Sequence, residues 1–148
     1  MTLPEWRFRP SRPSDAGDLY EVWRTSVAAT HDFVSEADLA TISIQVREAY
    51  LPRAELLVAV DDEDRPIGFM GISDQAIDSL FIAPTWRGKG LGRAFVDAAD
   101  TSLTEVIVNS QNTQAVGFYE RMGFRTYASS PLDDEGRPYP IFRMRRRV

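Results

Sequence analysis

The amino-acid sequence predicts an α/β fold in which a mixed sheet is covered by helices on both faces. Short segments with strand periodicity alternate along the chain with amphipathic segments of helical spacing. Their predicted order is one strand, two helices, three strands, a helix, a strand, a helix and two strands. A run of neighbouring strands followed by strand–helix alternation favours a mixed sheet flanked by helices.

The composition fits one globular domain and limits the kinds of site that the chain can carry. A length of 148 residues and 43% hydrophobic residues are sufficient for one core, so we expect a single domain over residues 1–148. The formal net charge of -5 disfavours nucleic acid, which binds basic surfaces. With no cysteine and one histidine, the chain has no thiol nucleophile, and we expect no metal site.

The sequence contains no recognisable membrane segment or export signal. No apolar run approaches the ~18 residues that span a bilayer. The N-terminal residues lack the apolar core of a signal peptide. We therefore expect a cytoplasmic protein with no membrane partner, either a monomer or a homodimer.

The predicted strands are short apolar or alternating segments. A solvated hairpin tip is expected at residues 61–64, between the second and third of them. The strands are predicted at residues 6–9, 56–60, 67–72, 77–83, 106–108, 124–128 and 139–145.

Four helices are predicted from capping residues and from apolar positions at helical spacing. Ser14 is expected to cap the first helix and Ser35 the second. The third follows a glycine-rich loop and is expected to include Leu103, and the fourth runs from Asn112 to Gly123. The expected apolar faces of the first two helices are Leu19, Val22, Trp23 and Val27, and Leu39, Ile42, Val46 and Tyr50.

The glycine-rich loop before the third helix carries the clearest chemical signal. Its sequence is Arg87-Gly88-Lys89-Gly90-Leu91-Gly92, followed by Arg93. The start of a helix exposes N–H groups and a partial positive charge, and glycines allow close approach of an anion. Loop and helix together indicate a pyrophosphate cradle. The loop lacks the Gly-Lys-Ser/Thr ending of a Walker loop, and taken alone it is equally compatible with a purely structural turn.

Two elements in a fixed order resemble the GCN5-related N-acetyltransferases (GNAT). The first is the strand end Leu80-Phe81-Ile82-Ala83-Pro84 followed, after two residues, by the Arg87–Gly92 loop. The second is Asn112-Thr113-Gln114-Ala115, then Phe118-Tyr119, then Gly123-Phe124. The resemblance implies a mostly antiparallel sheet and acetyl-CoA as cofactor. It also implies an enzyme that moves acetyl to an amine by direct attack, without a covalent intermediate.

Two flanking segments are similar to a small bacterial subgroup of that family, the YjaB-like acetyltransferases. These segments are Thr30-His31-Asp32-Phe33 and Gly136-Arg137-Pro138-Tyr139-Pro140. By this likeness, the acceptor pocket is expected to contain His31, Asp32, Phe33 and Tyr139.

The resemblance also assigns the cofactor residues. Tyr119 matches the family's general acid, although its helical position also suits a core aromatic side chain. Asn112 matches a residue that hydrogen-bonds the pantetheine arm, and it also suits a helix N-cap. The expected cofactor-binding residues are Leu80, Phe81, Ile82, Arg87, Gly88, Lys89, Gly90, Leu91, Gly92, Arg93, Asn112, Phe118 and Tyr119.

The general base and the acceptor stay open at this point. Asp78 lies on the strand that leads to the acetyl site, and His31 titrates near neutral pH, so each is a candidate base. A water chain is the other alternative. A small-molecule amine and a protein amine are both compatible with the sequence. His31, Asp32 and Asp78 together suggest a cationic acceptor.

Two rival functions belong to other classes. A non-catalytic acyl-CoA sensor would need the same cradle, but it would not need Tyr119 as a proton donor. The basic C-terminus, with Arg143 and Arg145–Arg147, could bind phosphate or nucleic acid, yet the acidic total favours an exposed charged tail. Trp6, Trp23 and Trp86 are expected to be packing residues, with Trp86 next to the cradle.

Overall fold

The computed structural model describes residues 6–99 and 105–146, which form an α/β structure with seven strands and four α-helices. The strands are β1 (Arg7–Pro10), β2 (Leu56–Val60), β3 (Pro66–Ser73), β4 (Ala76–Ile82), β5 (Glu105–Asn109), β6 (Arg125–Ser130) and β7 (Ile141–Arg145). The helices are α1 (Ala16–Thr30), α2 (Glu36–Gln45), α3 (Leu91–Ala98) and α4 (Thr113–Arg121).

The sheet has the order β1-β2-β3-β4-β5-β7-β6. Strands β4 and β5 pair in parallel, whereas β1 with β2, β2 with β3, β5 with β7 and β6 with β7 pair antiparallel. This confirms the predicted α/β class with a mixed, mostly antiparallel sheet.

The chain divides into two compact units, which are described separately. The first comprises the chain up to Gly71 together with Leu80–Ala98, and the second comprises Ile72–Ser79 and the chain from Ala99 onward. The middle of β4 is the point at which the chain passes from the second unit back to the first. The expected single domain over residues 1–148 stays a prediction.

The core of the first unit joins α1 to strands β2 and β3. The apolar face predicted for the first helix is buried, and the stripe predicted for the second helix packs partly buried against the same core. This confirms both faces. Helix α2 nevertheless ends earlier than predicted, and Val46–Tyr50 form a π-helical turn after it. The buried residues of this core are Leu19, Val22, Trp23, Val27, Leu51, Leu56, Val58, Val60 and Phe69.

The start of α1 differs from the prediction. Residues Pro13–Asp15 form a 3-10 turn, and the helix begins only at Ala16, so the expectation that Ser14 is the N-cap is wrong. The Asp15 carboxylate stabilises this turn instead, because its Oδ2 accepts the Arg12 N–H at 2.8 Å. The same carboxylate binds the Arg9 guanidinium through two hydrogen bonds of 2.7 and 2.9 Å. This largely buried pair ties β1 to the beginning of α1.

The hairpin tip between β2 and β3 is also more than a solvated turn. Asp61 Oδ1 accepts the backbone N–H groups of Glu63 and Arg65, which closes the tip. Asp64 has a positive φ of 64° and binds Arg9 Nε at 2.9 Å and Arg12 Nη1 at 2.8 Å. The tip is therefore held to the β1 end by ion pairs that the sequence did not reveal.

Gly68 marks a close approach inside the first unit. A Cβ built on this residue would lie 3.1 Å from the carbonyl oxygen of Phe81 and 3.1 Å from Cε2 of the Phe95 ring. Glycine on β3 therefore lets both β4 and the buried ring of α3 approach the strand. Phe95 in turn makes an edge contact with Phe8, with ring centroids 5.0 Å apart.

In the second unit, a two-residue turn and two caps define the local structure. Asp74 and Gln75 join β3 to β4 with φ values of 50° and 69°, the pattern of a type I′ turn. The predicted strands 67–72 and 77–83 left a connection of four residues, which is longer than the observed turn of two residues. Asn112 caps α4 by accepting the Ala115 N–H at 3.3 Å, and Gly123 ends it with a φ of 96°, both as predicted.

The C-terminal arginines of the second unit are engaged by its own side chains. Arg143 pairs with Asp134 at 2.8 Å, and Arg145 stacks over the Tyr127 ring at 4.0 Å from its centroid. Arg146 lies 4.9 Å from the centroid of Phe124. These contacts agree with the interpretation of this segment as a strand and tail rather than a free basic patch.

Several predicted boundaries were shifted. The last strand begins at Ile141 rather than Tyr139, since Tyr139 belongs to the preceding loop, where its N–H bonds the Arg137 carbonyl at 2.8 Å. Strand β1 runs one residue further along the chain than predicted. The predicted positions Leu103 and Arg147 lie outside the described residues.

We predict that Gly68→Ala lowers the free energy of unfolding by about 1–3 kcal/mol, because the new methyl group meets a backbone oxygen and a buried ring that cannot both retreat. Chemical denaturation monitored by circular dichroism measures this change. Gly17→Ala is the matched control, since a Cβ at Gly17 in α1 meets no atom within 4 Å. The control is expected to be neutral or stabilising by up to about 1 kcal/mol. Equal stability of the two variants would contradict the packing argument.

Candidate functional site

The loop between β4 and α3 has a backbone that depends on glycine. Gly88 and Gly90 have φ values of 71° and 87°, a region that is unfavourable for residues with a Cβ. A Cβ at either position would meet no atom of the protein within 4 Å, so the positive φ, and not internal crowding, is the requirement here. The Gly90 carbonyl accepts the Ala94 N–H at 3.1 Å and thereby starts α3.

The first turn of α3 presents backbone donors next to this loop. The first N–H groups of a helix have no intrahelical carbonyl partner, and in α3 they belong to Leu91, Gly92 and Arg93. They coincide with the positive end of the helix dipole. Loop and helix start therefore form an arrangement that favours an anion.

Three cationic side chains surround the same segment. Arg87, Lys89 and Arg93 are all exposed. Lys89 Nζ lies 5.6 Å from the centroid of the Trp86 ring, and Trp86 contacts Trp6 edge-on at 6.0 Å. Arg93 Nε is 4.0 Å from Asp97 Oδ2, a long and exposed pair that holds it weakly. Trp86 thus packs next to the loop, as predicted.

The second half of β4 leads directly into the loop. Leu80, Phe81 and Ile82 are each half-buried. The Phe81 ring contacts the core residue Phe69 with centroids 5.5 Å apart. The Ala83 N–H bonds the Ile67 carbonyl at 2.9 Å, which fixes the end of the strand against β3.

His31 lies at the end of α1 and is brought to this strand. Its N–H bonds the Val27 carbonyl at 2.8 Å as the helix ends. Its ring lies near two aromatic rings, with centroids 5.2 Å from Phe33 and 6.4 Å from Phe81. The structure therefore brings together two expected acceptor residues and one expected cofactor residue. Asp32, which lies between His31 and Phe33 in the sequence, is exposed.

The ionisation of His31 is shifted by its surroundings. Burial is the main cause that lowers its pKa below the ordinary 6.5, and the positive charge of Arg87 adds to the effect. The negative charge of Asp32 partly opposes both. The imidazole is therefore neutral at pH 7, the state in which it can accept a proton.

Thr30 is a neighbour of His31 that the sequence analysis did not single out. Its hydroxyl donates to the Ser26 carbonyl at 2.8 Å and lies 2.6 Å from Nδ1 of His31. The available signal was a threonine in the last turn of a helix, where a hydroxyl bonds the carbonyl four residues earlier. Sequence alone could not show that the ring would fold back onto the same oxygen.

In the second unit, α4 carries three of the expected cofactor residues. Asn112 uses its side-chain oxygen as the N-cap, which leaves the amide NH2 for another partner. The Tyr119 ring is buried between Phe118 and Phe124, with centroids 5.1 and 5.7 Å away. Burial raises the pKa of the Tyr119 hydroxyl above its ordinary value, so it is protonated throughout the neutral range.

The other two expected residues of the second unit differ in exposure. Asp78 is exposed, and its Oδ2 accepts the Ser73 hydroxyl at 2.8 Å across the β3–β4 hairpin. Tyr139 is buried. Its loop is closed by Asp133, whose Oδ1 accepts the Glu135 and Arg137 N–H groups at 3.0 and 2.8 Å.

The expected site residues thus divide between the two units. The first unit contains His31, Asp32, Phe33, Leu80, Phe81, Ile82, Arg87, Gly88, Lys89, Gly90, Leu91, Gly92 and Arg93. The second contains Asp78, Asn112, Phe118, Tyr119 and Tyr139.

Two features are absent from the described ranges. Within residues 6–99 and 105–146, no three His, Cys, Asp or Glu side chains are grouped as a metal ion would require. In the same part of the chain, no helix is both long enough and apolar enough to cross a membrane.

A family model described as an acetyltransferase (GNAT) domain matches residues 27–146. The chain belongs to the GNAT family. It is therefore an N-acetyltransferase that uses acetyl-CoA, which confirms the predicted family, enzyme class and cofactor.

Individual GNAT relatives agree with this assignment. The chain is 46% identical over 138 residues to the peptidyl-lysine N-acetyltransferase YjaB of Salmonella typhimurium, a match that covers 92% of the chain and 94% of YjaB. It is 44% identical to YjaB of Escherichia coli, over 92% of the chain and 93% of that protein. The solution structure of apo YjaB from Escherichia coli superimposes with a TM-score of 0.87 at 41% identity, covering 96% of this chain and 97% of the other. The predicted similarity to the YjaB-like subgroup is confirmed.

We predict that the imidazole of this GNAT protein titrates below pH 6.5 and that its two charged neighbours move the pKa in opposite directions. Arg87→Ala removes a positive charge and raises the pKa of His31, whereas Asp32→Asn removes a negative charge and lowers it. Proton NMR titration reports this directly because the chain has one histidine. Shifts of the same sign in both variants would contradict this electrostatic assignment.

Proposed function

We propose that the chain acetylates the ε-amine of lysine residues in proteins. The observation that carries the proposal is the 46% identity, over nearly the full length of both chains, to a peptidyl-lysine N-acetyltransferase. The exposed carboxylate of Asp32 beside His31 supports a cationic acceptor. A lysine side chain presents such a cation on a long stem that can enter a site from a protein surface.

The pyrophosphate of acetyl-CoA is proposed to bind at the loop Arg87–Gly92 and the first turn of α3. The positive φ values of Gly88 and Gly90 and the donors of α3 support this role. Arg87, Lys89 and Arg93 would supply charge. In the second unit, the free amide NH2 of Asn112 and the ring of Phe118 are proposed to contact the pantetheine arm.

The acetyl group is proposed to lie along the second half of β4. Backbone groups of Leu80, Phe81 and Ile82 would hold the pantetheine arm and polarise the thioester carbonyl. A preorganised backbone donor is the kind of group that stabilises a developing oxyanion most effectively. The Ile67 carbonyl fixes the strand end through the Ala83 N–H, so these groups are held before the substrate arrives.

Tyr119 is proposed as the general acid. A thiol has a pKa near ~8.5, so the departing thiolate of coenzyme A is a better leaving group when it receives a proton. The raised pKa of Tyr119 keeps that proton available at neutral pH.

His31 is proposed as the general base. A lysine amine with a pKa of ~10.4 is mostly protonated at pH 7 and must lose a proton before it can attack. The neutral, half-buried imidazole beside Phe81 is suited to accept it. Asp78 is the alternative base, but its carboxylate is exposed and already accepts the Ser73 hydroxyl. Phe33 and Tyr139 are proposed to line the acceptor pocket.

The proposed reaction is direct attack. His31 takes one proton from the lysine ammonium and releases it to water. The neutral amine nitrogen forms a bond to the thioester carbonyl carbon, and the carbon–sulfur bond then breaks. Tyr119 protonates the sulfur and recovers a proton from the former amine nitrogen. The products are an N-acetyl lysine, coenzyme A thiol and one released proton, with no covalent enzyme intermediate.

The wider organisation is proposed from the sequence alone. We propose one GNAT domain over residues 1–148, a cytoplasmic location, and either a monomer or a homodimer.

We predict that Gly90→Ala weakens acetyl-CoA binding by about tenfold, because the positive φ of residue 90 disfavours alanine by roughly 1–2 kcal/mol and the loop donors are displaced. Isothermal titration calorimetry with acetyl-CoA measures the change. Gly136→Ala is the matched control, since Gly136 also has a positive φ, of 79°, and open space at its Cβ position, but lies outside the proposed cradle. Equal loss of affinity in both variants would contradict the cradle.

We predict that the protein acetylates an internal lysine of a peptide and that Tyr119→Phe lowers kcat by about 100-fold, the lower range of general acid catalysis. Mass spectrometry identifies the modified residue and release of coenzyme A gives the rate. The matched control is Tyr127→Phe, which alters an exposed tyrosine of β6. Acetylation confined to small amines would refute the lysine proposal, and an unchanged kcat in Tyr119→Phe would refute the acid role.

A further inference from the structure

We propose that Thr30 fixes the tautomer of His31, placing the ring proton on Nδ1 and leaving the lone pair on Nε2 as the proton acceptor. Thr30 is thus a positioning residue for acetyl transfer. The inference rests on the proposed function in one respect, namely that His31 is the general base. The tautomer itself follows from the hydrogen bonds alone.

The Thr30 hydroxyl has a single proton to donate. Oγ1 lies 2.8 Å from the Ser26 carbonyl oxygen and 2.6 Å from Nδ1 of His31. A carbonyl oxygen can only accept, so the hydroxyl proton must point to Ser26 for that hydrogen bond to exist. Oγ1 then has only lone pairs to offer to Nδ1. The second hydrogen bond can form only if Nδ1 carries a proton and donates it.

The consequence concerns the other ring nitrogen. A neutral imidazole has one N–H, so a proton on Nδ1 leaves Nε2 with its lone pair. Nε2 can take the proton of an incoming ammonium without any rearrangement of the ring. In the imidazolium that results, Nδ1 still donates to Thr30, so the same hydrogen bond supports both ionisation states.

The local structure holds Thr30 and His31 in this relation. Ser26 is buried inside α1, so the acceptor of the Thr30 proton cannot move. The His31 backbone N–H bonds the Val27 carbonyl at the end of the helix, and the His31 ring packs near Phe33 and Phe81. The charged groups that act on the ring are Arg87, from the segment after β4, and Asp32, from its own loop.

The first measurement is the tautomer in the free, full-length protein. Long-range nitrogen–proton correlation spectra of protein labelled with 15N-histidine distinguish a protonated Nδ1 from a protonated Nε2. The single histidine removes any ambiguity of assignment. At a pH above the His31 transition, we expect Nδ1–H in the wild type and in Thr30→Ser. In Thr30→Val we expect loss of the preference. A wild-type ring protonated at Nε2 overturns the proposal.

The second measurement is the rate of acetylation of a lysine peptide as a function of pH. We expect Thr30→Val to lower kcat by about threefold to tenfold, the range of one neutral hydrogen bond, with an unchanged KM for acetyl-CoA. Thr30→Ser restores the rate. Thr25→Val is the matched control, since Thr25 makes the same bond to the carbonyl four residues earlier, at 2.7 Å, without a histidine partner. Its kcat should equal that of the wild type.

The two measurements separate failure of this inference from failure of the proposed function. If the wild type acetylates no lysine peptide, the proposed function fails, and the spectra still decide the tautomer. If lysine is acetylated but His31→Gln retains the wild-type rate, or if Thr30→Val does, the positioning role of Thr30 is overturned. An equal fall of kcat in Thr25→Val would show a general helix effect and would also overturn it.

Discussion

The close approach at Gly68 is the constraint on which the first unit depends. Strand β3 has no side chain at this position, and the space is filled by the Phe81 carbonyl and the Phe95 ring. Phe81 belongs to the strand that precedes the glycine loop, and Phe95 belongs to the helix that follows it. One missing Cβ therefore sets the distance of both elements from β3. The position of α3 depends on that distance, because Phe95 is one of the three buried side chains that pack this helix, with Leu91 and Val96.

The same core sets the position of the histidine loop. Helix α1 is held by a buried apolar face, and its beginning is fixed by the Arg9–Asp15 pair. Its last turn therefore ends at a defined place, and His31 follows directly. Phe81 packs partly buried against that core and also touches the His31 ring. The packing of Phe81 that stabilises the fold thus also holds an aromatic ring against the titratable side chain of His31.

Signals that are local in sequence predicted their structures correctly. Ser35 and Asn112 are N-caps, and Gly123 ends α4, because each acts on residues within a few positions of itself. The positive φ of Gly88 and Gly90 agrees with the loop predicted from the glycine spacing. The Asn112 cap also leaves its proposed cofactor role open, since the oxygen and the NH2 are separate groups.

Features that depend on specific side-chain contacts were missed or wrong. Ser14 was predicted as the N-cap of α1. The Asp15 carboxylate instead accepts hydrogen bonds from Arg9 and Arg12, and the helix begins later, at Ala16. The role of Gly68 depends on residues 13 and 27 positions away, whose approach no periodicity reveals. Thr30 was overlooked because only the side-chain geometry shows that the His31 ring turns its Nδ1 toward the Thr30 hydroxyl. The assignment of proton donor and acceptor therefore required side-chain geometry.

Burial acts in opposite directions on the pKa values of the two groups proposed to move protons, and it leaves both groups uncharged at pH 7. Removing water disfavours any charged form, so it lowers the pKa of His31 and raises the pKa of Tyr119. At pH 7, His31 is therefore unprotonated and can accept a proton, whereas Tyr119 is protonated and can donate one. A weakly basic imidazole is sufficient for this purpose. Deprotonating a lysine of pKa ~10.4 at pH 7 costs about 4.6 kcal/mol, from 3.4 pH units at about 1.36 kcal/mol each, whichever group carries the proton to water. The base sets how quickly that proton leaves, and an imidazole that is neutral at pH 7 has the lone pair that this transfer needs.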